Sequence, residues 1–207
     1  MNTARLLRCG VIAGPLYLTV GVMQGLLRDG FDFGRHPLSV LANGSLGWIQ
    51  TANFLVSGLM VIAAAVGLER VLGPKSRGMR WFLAAYGAAM IAAAFFPADP
   101  VDGFPPGTPL GFPTSISTTG LIHFLCGALA FLCLGVSAFF AAWTMWRRDD
   151  PPLALLSLVS GWSVFIGFFG GFMLPIGVAG IWFAVVVGWL WLSLLSLRHT
   201  RLRDAAG

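Results

Sequence analysis

An all-α, polytopic membrane protein is what this sequence predicts: six transmembrane helices in one bundle, with both termini cytoplasmic. Three observations lead there. First, 57% of the 207 residues are hydrophobic and only 10% are charged, with a mean hydropathy of +0.82. A soluble domain carries about a quarter charged residues. Second, six apolar segments each approach the roughly 20 residues that cross a bilayer. Third, the basic residues gather in alternate connections. Arg5, Arg8, Arg70, Lys75, Arg77, Arg80, Arg147, Arg148, Arg198, Arg201 and Arg203 fall on one side of such a bundle, and only Arg28 and Arg35 on the other. Lys and Arg are retained on the cytoplasmic side of membrane proteins. The net charge of +5 is therefore read as a topology signal, and nucleic acid is not an expected partner.

Taken in order, helix one is expected over about 10–28, as an uncleaved first span, because no Ala-x-Ala site ends the run. Helix two covers about 47–68, and helix three about 79–96, stopping at Pro97. Helix four is long, about 118–146. Helices five and six, about 153–174 and 177–198, form a tight hairpin broken at Pro175 and Gly177, since one helix of that combined length would overrun a bilayer. The whole chain, 1–207, is one domain. Cys126 and Cys133 read as small buried hydrophobes, with no paired spacing for a metal or a disulfide. Trp48, Trp81, Trp143, Trp146, Trp189 and Trp191 lie near expected boundaries and read as interface anchors, whereas Trp162 reads as a buried ring.

The non-lipid residues recur at helical spacing. Gly14, Tyr17, Gly21, Gln24 and Arg28 share one face; so do Gln50, Asn53, Ser57, Met60 and Ala64, and Thr119, His123, Cys126, Ala130, Cys133 and Ser137. Such faces turn into the bundle, because a polar group in hydrocarbon needs a partner. Gly167 on helix five and Gly180 and Ala184 on helix six mark close helix contact. Depth adds information. Gln24, Arg28, Asn53 and His123 sit in the outer thirds of their helices, next to Asp29, His36, Ser39, Asp99 and Asp102 of the loops at 29–46 and 97–117. The inner halves look almost purely apolar. The expectation is a polar cavity opening outward and capped by those two loops, with a short interfacial helix within 37–46. An ionisable residue inside a membrane span is a functional candidate, and His123 is the clearest one.

Ser39, Gly44, Gly47-Trp48 and Asn53, then Phe96-Pro97-Ala98-Asp99 and the step from Gly120 to His123, give the chain a resemblance. It resembles the bacterial and archaeal integral-membrane family catalogued as domain of unknown function 998. The resemblance implies a six-helix membrane protein and no activity.

Several functions fit these residues. The chain is a structural or regulatory membrane protein, or it binds a lipid or small polar ligand in the cavity, where Arg28 beside Asn53 and Gln24 would suit an anionic group. Transport of a lipid or small solute is the next alternative. The third is a metal-dependent intramembrane hydrolase with His36, Asp99, Asp102 and His123 as zinc ligands; such a metal takes three protein ligands and leaves one position for water. Membrane lipids are the expected partners, in the cell membrane. Cofactor, metal and oligomeric state are not legible in one chain.

Overall fold

The computed structural model describes residues 2–111, 113–173 and 176–204. It contains six long helices: α1 (Thr3–Leu27), α2 (Gly47–Leu72), α3 (Arg77–Phe95), α4 (Thr118–Trp146), α5 (Pro151–Met173) and α6 (Gly177–Asp204). All six are long and apolar enough to cross a membrane, and no strand occurs among the described residues. The expected helices are all present. α1 starts earlier than expected because Asn2 caps it, its side-chain oxygen accepting from the Arg5 N–H at 3.0 Å. α6 runs on to Asp204 through Arg198, Arg201 and Arg203, whose charge does not interrupt helical hydrogen bonding. Gly177 opens α6, whereas Pro175 lies outside the described residues.

Each helix packs against its neighbours in sequence, and α1 closes the circle against α6. The result is a ring of antiparallel helices. The start of α1 and the end of α6 lie on one face, where Gly10 of α1 adjoins Ala64 of α2 and Ser196 of α6. The opposite face is covered by the 28–46 and 96–117 connections. Mid-helix residues such as Leu59, Leu129, Ile166 and Leu190 point outward and are more than half exposed, which suits a lipid surround.

Small residues set the distances around the ring. A Cβ on Gly58 would come within 2.7 Å of the Gly87 carbonyl, and one on Gly87 within 2.6 Å of the Gly58 carbonyl, so α2 and α3 touch through their backbones. Gly167 and Gly180 do the same for α5 and α6. Such contact is how helices associate where lipid removes the hydrophobic drive.

The terminal half is filled inside its outer face, where an open pocket lies among Met145, Asp150, Arg198 and His199. Leu7, Leu68, Met79, Leu134, Trp191, Leu192 and Leu195 are almost wholly buried in this half. It is also less purely apolar than expected. Ser137, Thr144, Ser157, Ser196, His199 and Thr200 are buried in it. Most bond to a carbonyl one turn back on their own helix: Thr144 to Phe140 at 2.7 Å, Ser157 to Leu153 at 2.8 Å, His199 Nδ1 to Leu195 at 2.8 Å and Thr200 to Ser196 at 2.8 Å. Short polar side chains can therefore sit in this core without a partner helix.

The tryptophans divide differently from the expectation. Trp48, Trp81, Trp143 and Trp146 are exposed, as anchors are. Trp189 and Trp191 are buried, since they face the ring interior, with the Trp191 Nε1 donating to Ser157 at 3.0 Å. Trp162 lies on the outer surface, 57% exposed. Cys133 is buried, but Cys126 only partly so.

Candidate functional site

The loop-capped half of the ring is hollow. A cavity of about 320 Å³ runs down its interior, lined by residues of all six helices and the two loops. Along α4 its wall extends from Gly120 to Phe131, about 16 Å at the helical rise. The floor is aromatic: Tyr17 and Tyr86 lie 5.1 and 5.8 Å from Trp189, centroid to centroid. The middle is apolar, with Met90, Ala130, Ile181 and Val185 in its wall. Arg35, Ser39, Asp99 and His123 add polar groups towards the loop end.

Of the expected site residues, then, Ser39, Asp99 and His123 line the cavity, whereas Gln24, Arg28, Asp29, His36, Asn53 and Asp102 do not. The cavity is mainly apolar rather than polar, because the amides bond to one another and to α1 within and between helices, leaving only the Gln24 Oε1 without a partner among the described amide atoms of this set. Gln24 Nε2 donates to Gln50 Oε1 at 3.1 Å. Asn53 Nδ2 lies 3.1 Å from the Tyr17 carbonyl and 3.2 Å from Gln50 Oε1, and Ser57 donates to Asn53 Oδ1 at 3.3 Å. The set clasps α1 to α2. An unpaired amide at this depth would cost about 1–3 kcal/mol, so pairing wins over facing a cavity.

Arg28 is likewise committed, and the anion site expected beside Asn53 and Gln24 does not form. Its Nη1 and Nη2 donate to the carbonyls of Leu41 and Asn43, each at 2.6 Å, and its guanidinium lies 4.8 Å from the Phe104 ring centre. These bonds hold a short 3₁₀ turn, Leu38–Ala42, under the cap, within the expected 37–46. The turn buries Leu38, Val40 and Leu41 between the helices and brings Ser39 to the cavity. Burial lowers the Arg28 pKa from the usual guanidinium value. Gly44 adjoins that guanidinium at φ +75°, where a Cβ would lie 2.7 Å from Nη2. Asp29 is exposed.

His36 is fully buried in the cap instead of lying in solvent. Its Nδ1 accepts from the Asp32 N–H at 2.9 Å, and its Nε2 donates to the Asp102 carbonyl at 3.0 Å. Both ring nitrogens are used, which leaves none for a metal. The Asp102 carbonyl is presented by a tight turn in which Asp102 and Gly103 have φ of +45° and +88°, with reciprocal bonds between Val101 and Phe104. The Asp102 carboxylate accepts from the Gly111 N–H at 2.9 Å. Phe31, Phe33, Phe104 and Trp182 pack round His36, and the Trp182 Nε1 donates to the His36 carbonyl at 3.2 Å.

Asp99 binds Ser117, the N-cap of α4, through both its backbone N–H and its hydroxyl. Gly120 leaves room for that carboxylate; a Cβ would overlap it. His123 Nδ1 donates to the Phe96 carbonyl at 2.7 Å. A carbonyl only accepts, so the proton sits on Nδ1 and Nε2 is the basic nitrogen. The four residues expected to hold zinc are thus separated by structural duties, and among the described residues no group of three or more His, Cys, Asp or Glu could hold a metal ion.

Sequence reasoning missed Arg35 at the cavity. Its Nε lies 3.0 Å from Asp32 and its Nη1 3.7 Å from Asp102. In the sequence it is a loop charge, and its distance from the wall residues of α3 to α6 gives no signal. The Asp32 carboxyl is held below its usual range by the Gly34 N–H and then by the Arg35 side chain.

Several of the residues that carried the family resemblance are tie points of this half. The Phe96 carbonyl receives His123, the Ala98 carbonyl receives Asn43 Nδ2 at 3.0 Å, Asp99 holds the Ser117 cap of α4, and Asn53 joins α2 to α1. No curated protein and no solved structure matches the chain. Residues 11–198 match a family model, and on that match the chain belongs to the family described as "Protein of unknown function (DUF998)".

Proposed function

We propose that this multi-pass membrane protein binds a lipid-like amphiphile. Its apolar part occupies the cavity, and its polar end lies among Ser39, Asp99, His123 and Arg35. The observation that carries this reading is the cavity itself, apolar along its length with a few polar groups at one end. That distribution is characteristic of sites for small amphiphilic ligands, and about 320 Å³ falls in their usual size range. The basic terminal face supports an orientation with the termini in the cytoplasm and the capped half in the outer leaflet of the cell membrane.

Filling the cavity tests it. Ala130 is buried in the cavity wall, and Ala130→Trp (A130W) places an indole in the space. Native mass spectrometry of protein released from nanodiscs of defined lipid composition should show lipid retained by the wild type. Retention should fall by about tenfold in A130W, the effect of losing roughly 1.4 kcal/mol of affinity. Equal retention by a folded A130W would refute the reading.

A further inference from the structure

A second pocket opens on the terminal face, where the end of α4, the start of α5 and the end of α6 meet. It encloses about 710 Å³, and Arg148, Arg198, His199 and Arg203 line it together with Asp149 and Asp150 of the α4–α5 turn. The two acids do not cancel the three arginines. Asp150 is committed to the fold: its Oδ1 accepts from the Leu153 N–H at 3.3 Å, at the start of α5, and its Oδ2 lies 3.5 Å from Arg198 Nη2. Arg148 Nη1 donates to the Leu72 carbonyl at 3.4 Å, a contact that positions the guanidinium without neutralising it. Arg203 pairs with no acid among the described residues.

His199 sets this pocket apart from a solvated basic surface. It is only 5% exposed, yet it lines the pocket. Its Nδ1 donates to the Leu195 carbonyl at 2.8 Å, which leaves Nε2 available to the pocket. We infer that this pocket binds a phosphate group. The guanidinium groups of Arg148, Arg198 and Arg203 surround its oxygens, as arginine suits phosphate. One hydrogen, carried by the imidazole or by the phosphate, bridges an oxygen to His199 Nε2. The source is the headgroup of an anionic membrane lipid. Exposed Trp143 and Trp146 on the last turn of α4 place the pocket at headgroup level. Val71, Met145 and Leu202 give it an apolar side for the rest of the lipid. Basic pockets between spans on the cytoplasmic side take such headgroups. The site is separate from the apolar cavity and does not depend on what that cavity holds.

The chain has three histidines, one in each of three places: His36 in the cap, His123 at the cavity and His199 here. Ring-nitrogen NMR of protein labelled with ¹⁵N-histidine in maltoside micelles therefore reports where a lipid binds. Titration with dioctanoyl phosphatidate should shift the His199 Nε2 signal saturably, and dioctanoylglycerol, which lacks the phosphate, should not. Arg203→Gln (R203Q) removes an exposed, unpaired charge and should weaken the phosphatidate response about tenfold, as loss of a charge-assisted bond does. Arg201→Gln (R201Q) removes the same charge two residues away, on the far side of the helix and outside the pocket, and should weaken it less than twofold. Inorganic phosphate separates the sources: a weak or absent response supports the lipid headgroup, and a response equal to that of phosphatidate supports the phosphate site but makes free phosphate its ligand. Equal weakening by R203Q and R201Q would reduce the pocket to general surface charge and overturn the inference. So would a phosphatidate shift confined to His123, which would leave the cavity reading standing.

Discussion

The two halves of this ring handle polarity in different ways. In the terminal half, most buried hydroxyls and an imidazole bond to carbonyls of their own helices, as Thr144, Ser157, His199 and Thr200 do, while isolated bonds cross between helices, from Ser137 to the Met79 carbonyl and from Trp191 Nε1 to Ser157, and Leu192 and Leu195 fill the space. In the capped half, longer amides bond across helices, as Gln24, Gln50 and Asn53 do, and the loops bond across the mouth. The first arrangement lets apolar side chains fill the centre. The second ties the wall together laterally and keeps it upright around an unfilled centre. A membrane protein can thus hold a cavity open by strengthening its rim.

Three measurements break or sharpen this contrast. The largest effect should come from packing. Leu192→Ala (L192A), in the filled half, should cost about 2–5 kcal/mol of stability in detergent unfolding, as a truncated core leucine does. Met90→Ala (M90A), which only enlarges an existing cavity, should cost less than half as much. Equal losses would mean that the halves are packed alike. The next effect concerns the clasp. Gln50→Leu (Q50L) removes partners of Gln24, Asn53 and Tyr17 and should cost about 1–2 kcal/mol. By contrast, Thr144→Ala (T144A), whose hydroxyl bonds only to its own helix at Phe140, should change stability by about 0.5 kcal/mol or less.

The smallest effect is one of pH. The pKa of the half-exposed Asp32 carboxyl is depressed by the Gly34 N–H and Arg35, so ionisation favours the folded loop. That contribution is present above the ordinary carboxylate pKa and disappears as pH falls through the lower folded value. Hydrogen exchange corrected for intrinsic rate should therefore show residues 29–37 losing protection between neutral pH and about pH 3, while Asp32→Asn (D32N) shows no such dependence. A wild-type loop with constant protection would remove Asp32 from the cap's support.

Much of the architecture was legible because helical periodicity and charge act over short distances. Of the residues expected to face inward, Tyr17, Gln24, Asn53, Ser57, His123 and Ser137 are buried, Met60 and Cys126 are partly buried, and Thr119, in the first turn of α4, is exposed. What those side chains do there was less legible. An amide facing inward meets either a cavity or another helix, and only the packing of α1 against α2 decides that Gln24 and Asn53 meet Gln50 and Tyr17. His36 sits in a loop of polar composition and becomes fully buried because the distant Asp102–Gly103 turn supplies its acceptor. Trp191 looked like an anchor from its position near a helix end, but α6 continues beyond it and turns its indole inward. The hollow centre has no sequence signature, since Met90 and Ala130 would serve equally in a filled core.

The circular order of the helices bears on how the chain is assembled. Five of the six seams join consecutive segments and can form as each hairpin is inserted during N-to-C synthesis. The seam between α1 and α6 cannot. Until the last helix arrives, Gly10 and Gly14 of the first helix have no Ser196 or Trp189 to pack against, and the floor of Tyr17, Tyr86 and Trp189 is missing its third ring. A chain that stops short of α6 is thus an open horseshoe, and the ligand chamber comes into being only with the final span.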